Sequence, residues 1–407
     1  MHKSICLTAA LLLALLSACS NKEDAPPTQL DSAVDELTQD DIDELESIGY
    51  LQGAKVDVQP ASITVFNKEK AQPGLNLYVS GHAPEAYLID MEGNLLHTWR
   101  KPFDEIWPGQ KMPAFAKPHM KGFFRQFHLF PNGDLLVNFE HYGIAKLDKN
   151  SEVLWSFKGH AHHDIEVDSH GNVYSLGKRV EYEKGDKSKW TLYPTVNILA
   201  PDGEPQRTLE LYDYFDNSPY RAVLEDIDAY GDLLHNNTIR VFDGSQQHRS
   251  PLYKKGNILL ASPIIDAVYI VDPEQETLVW MLRSMFDGIH DPTLLDNGNI
   301  LLFDNRGPDN RSQVIEFDPF TQEIIWQYDG GTENQFLSTC CSVIQRLPNG
   351  NTLAVVTSQA TAFEVTPQKE IVWQFHNPAF LSHNQRAGSL FELRRFTKEF
   401  PMDWLVE

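Results

Sequence analysis

The stretch that most limits what this chain can become runs Leu294-Leu295-Asp296-Asn297-Gly298-Asn299-Ile300-Leu301-Leu302-Phe303-Asp304. Two apolar runs flank Asn-Gly, a pair that tolerates positive φ at both turn positions and so predicts a tight hairpin. An alternating strand, Val314-Ile315-Glu316-Phe317, follows, and after a further turn comes Glu323-Ile324-Ile325-Trp326-Gln327-Tyr328. The unit is a four-stranded antiparallel meander whose last strand carries Trp. One copy runs from Leu129-Phe130-Pro131-Asn132-Gly133 to Trp155, another from Gly256-Asn257 to Trp280, and another from Leu347-Pro348-Asn349-Gly350 to Trp373. The copy at His170-Gly171-Asn172 closes on Leu209-Glu210-Leu211 without Trp, and a partial first copy runs from Asn76 to Trp99. Trp280, Trp326 and Trp373 lie 46 and 47 residues apart, the period of one propeller blade. The expected fold is all-β, a six-bladed β-propeller of four-stranded antiparallel blades over residues 63–400. The first copy shows only three strands. Ser389-Leu390-Phe391-Glu392-Leu393-Arg394-Arg395-Phe396 is expected to complete it and leave no exposed edge, with Ile63-Thr64-Val65-Phe66 as the competing strand.

Residues 1–18 read as a signal peptide, with Lys3 at its positive start and Leu11 to Leu16 as an apolar core too short to span a bilayer. The segment ends in Leu16-Ser17-Ala18-Cys19, which resembles the bacterial lipoprotein lipobox. That resemblance implies cleavage before Cys19 and lipid on its thiol. Ordinary secretory cleavage beside an incidental Cys is the alternative. Ser20 after Cys19 favours the outer membrane, so the expected place is the cell envelope, on its periplasmic side. Residues 19–62 form an acidic tether, within which Leu37, Ile42, Leu45, Ile48 and Leu51 have the spacing of a short helix. The chain carries 57 Asp and Glu against 34 Lys and Arg, a formal charge of −23, and loses one more positive charge with its leader. Such a balance excludes nucleic acid and electrostatic adhesion to anionic lipid, leaving the anchor as the expected membrane contact.

Besides Cys6 in the leader and Cys19, the only cysteines are Cys340 and Cys341, which are adjacent. They could form a vicinal disulfide or stay as free thiols. Neighbouring Cα atoms lie about 3.8 Å apart, short of the usual disulfide range of about 4.4–6.8 Å, so such a bond would stiffen the turn.

In a blade the first strand lines the channel, and its start shares a face of the disc with the loop between strands two and three. Counting back eight residues from the turn glycines gives Arg125, His163, His290 and Ser342. The insertion at Asp243 to Lys255 breaks the count in the fourth blade, where His235 opens the corresponding strand. Arg306 lies on a strand-two-to-three loop of the same face. The expectation is a polar ring at one channel mouth, the kind of concavity that binds ligands. His160-Ala161-His162-His163-Asp164 is dense in metal-ligand types. Read as a strand, however, it would turn His163 away from His160 and His162, so no metal and no other cofactor is expected. No Gly-x-Ser-x-Gly elbow supports Ser-His-Asp chemistry.

Several of these pieces together resemble the bacterial arylsulfotransferase family: His162-His163-Asp164-Ile165, Leu233-Leu234-His235-Asn236-Asn237, Ile289-His290-Asp291, Phe303-Asp304-Asn305-Arg306, Gln345-Arg346-Leu347-Pro348-Asn349-Gly350 and Phe363-Glu364-Val365-Thr366. The similarity runs in order from about Leu75 to Trp373. It implies a six-bladed propeller that moves a sulfuryl group from a phenolic sulfate ester to another phenol. By position, His235 and His290 resemble the family's acid/base and oxygen-stabilising histidines, and Arg306 its sulfate-clamping arginine. Arg125, His163 and Ser342 would complete a substrate-binding ring. The sequence departs from the family at the last blade, where Thr361 stands in the position of the histidine that carries the sulfuryl group, and it lacks the family's N-terminal β-sandwich. A lipid-tethered propeller that binds an anionic or aromatic ligand or a protein partner without turnover is therefore the second reading. A quinone-cofactor dehydrogenase, suggested only by the adjacent cysteines, would have eight blades and a different Trp pattern.

Overall fold

The computed structural model describes strand Gln52–Lys55 and residues 62–406 apart from 185, 228–229 and 382–385. The leader, Cys19 and the expected helix between Leu37 and Leu51 lie outside the described residues. Six antiparallel sheets follow one another along the chain. Blade 2 comprises Phe127–Leu129, Leu135–Phe139, Gly143–Leu147 and Val153–Phe157. Blade 3 comprises Ile165–Val167, Val173–Glu183, Asp186–Leu199 and Pro205–Glu210. Blade 4 runs from Thr238–Val241 to Thr277–Arg283, blade 5 from Ile289–Leu294 to Ile324–Tyr328, and blade 6 from Ile344–Arg346 to Ile371–His376.

Blade 1 is built from both ends of the fold. Leu390–Phe396 pairs with Leu75–Ser80, which leads on to Glu85–Ile89 and Leu95–Arg100. The late strand therefore closes the ring, and Ile63–Phe66 instead adds an outer fifth strand to blade 6 against Ile371–His376. An ion pair with no solvent exposure clips this closure. Arg395, on the closing strand, bonds Glu364 of blade 6, while its Nε donates to Asn76 Oδ1 at 2.8 Å. Its guanidinium stands 4.6 Å from the Trp373 ring.

The recurring Trp has a physical reason. From the last strand of blades 1, 2, 5 and 6, the indole N–H reaches a backbone carbonyl in a turn of the next blade. Trp99 bonds Gly133 at 3.1 Å, Trp155 bonds Pro201 at 3.2 Å, Trp326 bonds Pro367 at 3.0 Å, and Trp373 bonds Met91 at 3.0 Å across the closure. Blade 3, which lacks the Trp, uses Arg207 on the Pro273 carbonyl at 2.8 Å. A Cβ on Gly203, whose φ is +87°, would lie 2.6 Å from the Trp155 ring, so that turn takes glycine for close approach as well as for conformation.

On the inner strands a belt of charge passes through all six blades. Asp164 Oδ2 accepts from the Ile239 N–H at 3.0 Å and from Arg240 at 2.6 Å, and Arg240 also holds Asp291. Asp291 Oδ2 accepts from the Ile344 N–H at 2.6 Å and from Arg394 at 3.1 Å. Arg394 bonds Glu392 at 2.9 Å, and Glu392 takes the Phe127 N–H at 2.9 Å. Each of these buried carboxylates meets both a cation and a backbone donor, which offsets its desolvation. Among the described residues no helix is long and apolar enough to cross a membrane.

Candidate active site

Beside the belt, the starts of the inner strands of blades 3 and 4 and the strand-two-to-three loop of blade 2 meet in a cluster of imidazoles. Residues 160–164 are not extended. His160 and His163 take φ of +48° and +52°, and the regular strand begins only at Ile165. Kinked in this way, the segment turns His162 and His163 together, with ring centroids 4.0 Å apart, and His235 stands 4.7 and 4.8 Å from the two. The alternation that sets His163 apart from His162 is thus corrected by left-handed backbone at two positions. His160 leaves the cluster; its Nδ1 bonds the Lys178 carbonyl at 3.2 Å and its ring packs on Phe115.

Two carboxylates stand behind the cluster. Glu140 Oε1 lies 3.2 Å from His162 Nδ1 and 2.8 Å from His163 Nδ1, while its Oε2 accepts from Arg125 Nε at 3.0 Å. Asp232 Oδ2 accepts from His235 Nδ1 at 2.6 Å and is paired with Lys178. Burial works against the Asp232 anion, yet Lys178 and His235 hold its carboxyl well below the usual carboxylate range. Burial likewise opposes the Glu140 charge, and His163, His162 and Arg125 outweigh it, holding that carboxyl well down. His162 and His163 are buried, whereas the His235 side chain is 33% exposed. With Nδ1 committed to Asp232, His235 Nε2 has no hydrogen-bond partner among the described residues.

Arg125 connects this cluster to a small cavity that it lines with Asp164, Thr238, His290, Cys341 and Ser342. His290 is held at both nitrogens: Nδ1–H donates to the Gly288 carbonyl at 2.9 Å, and Nε2 accepts from the Cys341 N–H at 3.1 Å. The Ser342 hydroxyl is buried and has no hydrogen-bond partner among the described residues. Arg125, His163, His235, His290 and Ser342 thus form one connected set.

Arg306 does not join it. The guanidinium is half exposed and holds Asp287 Oδ1 with Nε at 2.7 Å and an NH2 group at 2.6 Å, in a separate surface cleft with Phe286 and Gln313. A neighbouring carboxylate in the preceding loop captures the arginine that the strand-two-to-three position would otherwise present. Thr361 opens the third strand of blade 6, opposite Val356 and His376. Cys340 and Cys341 are not joined by a disulfide; their sulfurs lie 3.0 Å apart, and the Cys341 backbone N–H donates to His290 Nε2. Glu140, His141, Lys178 and Asp232 were not singled out from the sequence. Glu140 and His141 sit on the blade-2 loop between strands two and three, whereas Arg306 falls at the end of the second strand of blade 5, Ile300–Gly307.

A family model described as arylsulfotransferase (ASST) matches residues 126–378. The chain belongs to the arylsulfotransferase family. Among curated proteins none matches it. A crystal structure of a protein of unknown function from Bacteroides caccae superposes with a TM-score of 0.52 at 12% identity, over 79% of this chain and 98% of that one; the likeness is one of fold. Virginiamycin B lyase from Staphylococcus aureus matches with a TM-score of 0.42 at 11% identity, over 79% of this chain and 86% of its own. The WD40 propeller domain of Doa1 matches with a TM-score of 0.44 at 13% identity, over 84% and 94%.

The buried imidazoles give this family member a pH signature. Burial, which disfavours the cation, pushes His163, His290 and His141 down to about 3. Each is neutral when folded and titrates near 6.5 when unfolded, so its contribution to stability is complete above about pH 6.5 and is lost as pH falls toward 3. From pH 6.5 to 5 the loss is about 2 kcal/mol per imidazole. Glu166, raised by burial to about 7 although its side chain is 32% exposed, acts more weakly in the opposite sense between about pH 7 and 4.5. Urea midpoints at pH 7, 6 and 5 should therefore fall steadily, and more steeply in Glu166→Gln. A midpoint that stays level or rises on acidification contradicts the assignment.

Proposed function

We propose that the protein transfers a sulfuryl group from a phenolic sulfate ester to an acceptor phenol at this channel mouth. The observation that carries the reading is the Asp232–His235 pair, a histidine oriented by a buried carboxylate with its other nitrogen open, in a chain of the arylsulfotransferase family. With Thr361 where the family resemblance implies a carrier histidine, the reading is a direct displacement. The acceptor oxygen attacks sulfur, the bond from sulfur to the donor's phenolic oxygen breaks, and the acceptor's proton passes by way of His235 Nε2 to the leaving oxygen. Sulfate ester and phenol go in; phenol and sulfate ester come out. Ser342 lies beside the path as a neutral hydrogen-bonding group, and His290, held at both nitrogens, fixes the Cys341 backbone next to it.

The test is incubation with 4-nitrophenyl sulfate with and without phenol. Nitrophenol release that rises with phenol and depends on His235 and His290 supports the reading, and no phenol-dependent release sinks it. Thr361 is the observation that favours a second reading, binding without turnover, which would show as saturable retention of 4-nitrophenyl sulfate with no product. We further propose a lipid anchor at Cys19, resting on Leu16-Ser17-Ala18-Cys19. Cys19→Ser should then move the protein from the membrane to the soluble envelope fraction, and an unchanged distribution would refute the anchor.

A further inference from the structure

We infer that His162, His163 and His235 form a binding site for one divalent transition-metal ion of the zinc type, built into the mouth where the proposed sulfuryl transfer takes place. One ring nitrogen from each of the three lies within 4.8 Å of the others. The buried Nε2 of His162 has no hydrogen-bond partner among the described residues, an unusual state for a buried imidazole and the state a ligand would relieve. The remaining nitrogens are arranged as metal-binding histidines arrange theirs. Nδ1 of His162 and of His163 faces Glu140, and Nδ1 of His235 faces Asp232, so each ring is oriented by a carboxylate. Three imidazoles suit zinc, cobalt, nickel or copper and do not suit calcium or magnesium, which take oxygen. Burial keeps His162 and His163 neutral, the form that ligates.

Charge gives the second argument. Sulfuryl transfer places negative charge on several oxygens and needs a fixed positive partner. Among the described residues the cations nearest the cluster are already opposed, Arg125 by Glu140 and Lys178 by Asp232, while Arg306 is held by Asp287. An ion held by the three imidazoles would supply that missing charge; His235 would then be a ligand, so the proton route through its Nε2 belongs to the protein without the ion. The inference rests on the proposed function for that role only; the site itself rests on the histidines.

The experiment uses the full chain, stripped with a chelator and dialysed. Zinc chloride titrated by calorimetry should bind at one equivalent, and cobalt should give the visible spectrum of a tetrahedral nitrogen site without a sulfur charge-transfer band. His162→Gln should abolish binding, and Asp232→Asn should weaken it about 10–100-fold. If His162→Gln fails to fold by circular dichroism, His235→Gln, at a partly exposed position, serves in its place. Binding that survives both substitutions, binding lost in Cys340→Ser or Cys341→Ser, or no stoichiometric binding overturns the inference. Phenol-dependent turnover by metal-free protein that binds no zinc would leave the proposed reaction standing and this site refuted. Zinc binding without turnover would do the reverse.

Discussion

Replacing His235 by alanine lowers phenol-dependent nitrophenol release by about 10²–10⁴-fold while leaving the folded protein nearly as stable as before. The kinetic effect is what a positioned proton-transfer group supplies. Stability should change little, because the side chain is a third exposed and its one side-chain bond is to Asp232, which keeps Lys178 as partner when the imidazole is gone. The loss should appear mainly in kcat, since the residue acts on oxygens that become more charged as the donor bond breaks. Asp232→Asn should cost less than His235→Ala, because the ring would remain but its tautomer would no longer be fixed. Wild-type turnover in His235→Ala would remove this histidine from the chemistry.

Arg395→Ala destabilises the protein by about 3–5 kcal/mol, read as a shift in urea midpoint, without touching the channel mouth. Removing one member of a buried ion pair leaves the other charge without compensation, and that uncompensated charge is the main cost. Here both side chains have no solvent exposure, and the arginine also binds Asn76 Oδ1 at 2.8 Å and the Gln72 carbonyl at 3.0 Å. Glu364→Ala should cost a similar amount. Arg395→Met combined with Glu364→Leu should recover much of the loss, since neither charge then remains buried. A loss below about 1 kcal/mol in Arg395→Ala would mean that the closure does not depend on this pair.

The blades were legible because turn chemistry and period are local. Asn-Gly pairs fixed strands one and two, Trp marked the fourth, and a stretch of strand character with no blade of its own pointed to ring closure by Leu390–Phe396. Counting back from the turn glycines pointed to Arg125, His163, His290 and Ser342, and the start of the corresponding strand to His235, because one strand geometry repeats around one axis. The errors came where the backbone departs from that repeat or where a neighbour intervenes. His162 was set apart from His163 because the strand period was applied across two residues of positive φ. Arg306 was assigned to the mouth because nothing in its own motif reveals that Asp287, in a loop before another strand, holds it. The carboxylates behind the imidazoles, Glu140 and Asp232, act through contacts that no spacing rule joins to the histidines.

The closing strand also has a meaning in time. Leu75–Ser80 leaves the ribosome long before its partner Leu390–Phe396. Until that partner is made, the first sheet carries a bare edge of the kind that recruits stray strands. A ring closed in this way is better completed as one unit than begun from its leading end, because its first sheet waits on a strand made after all five other blades.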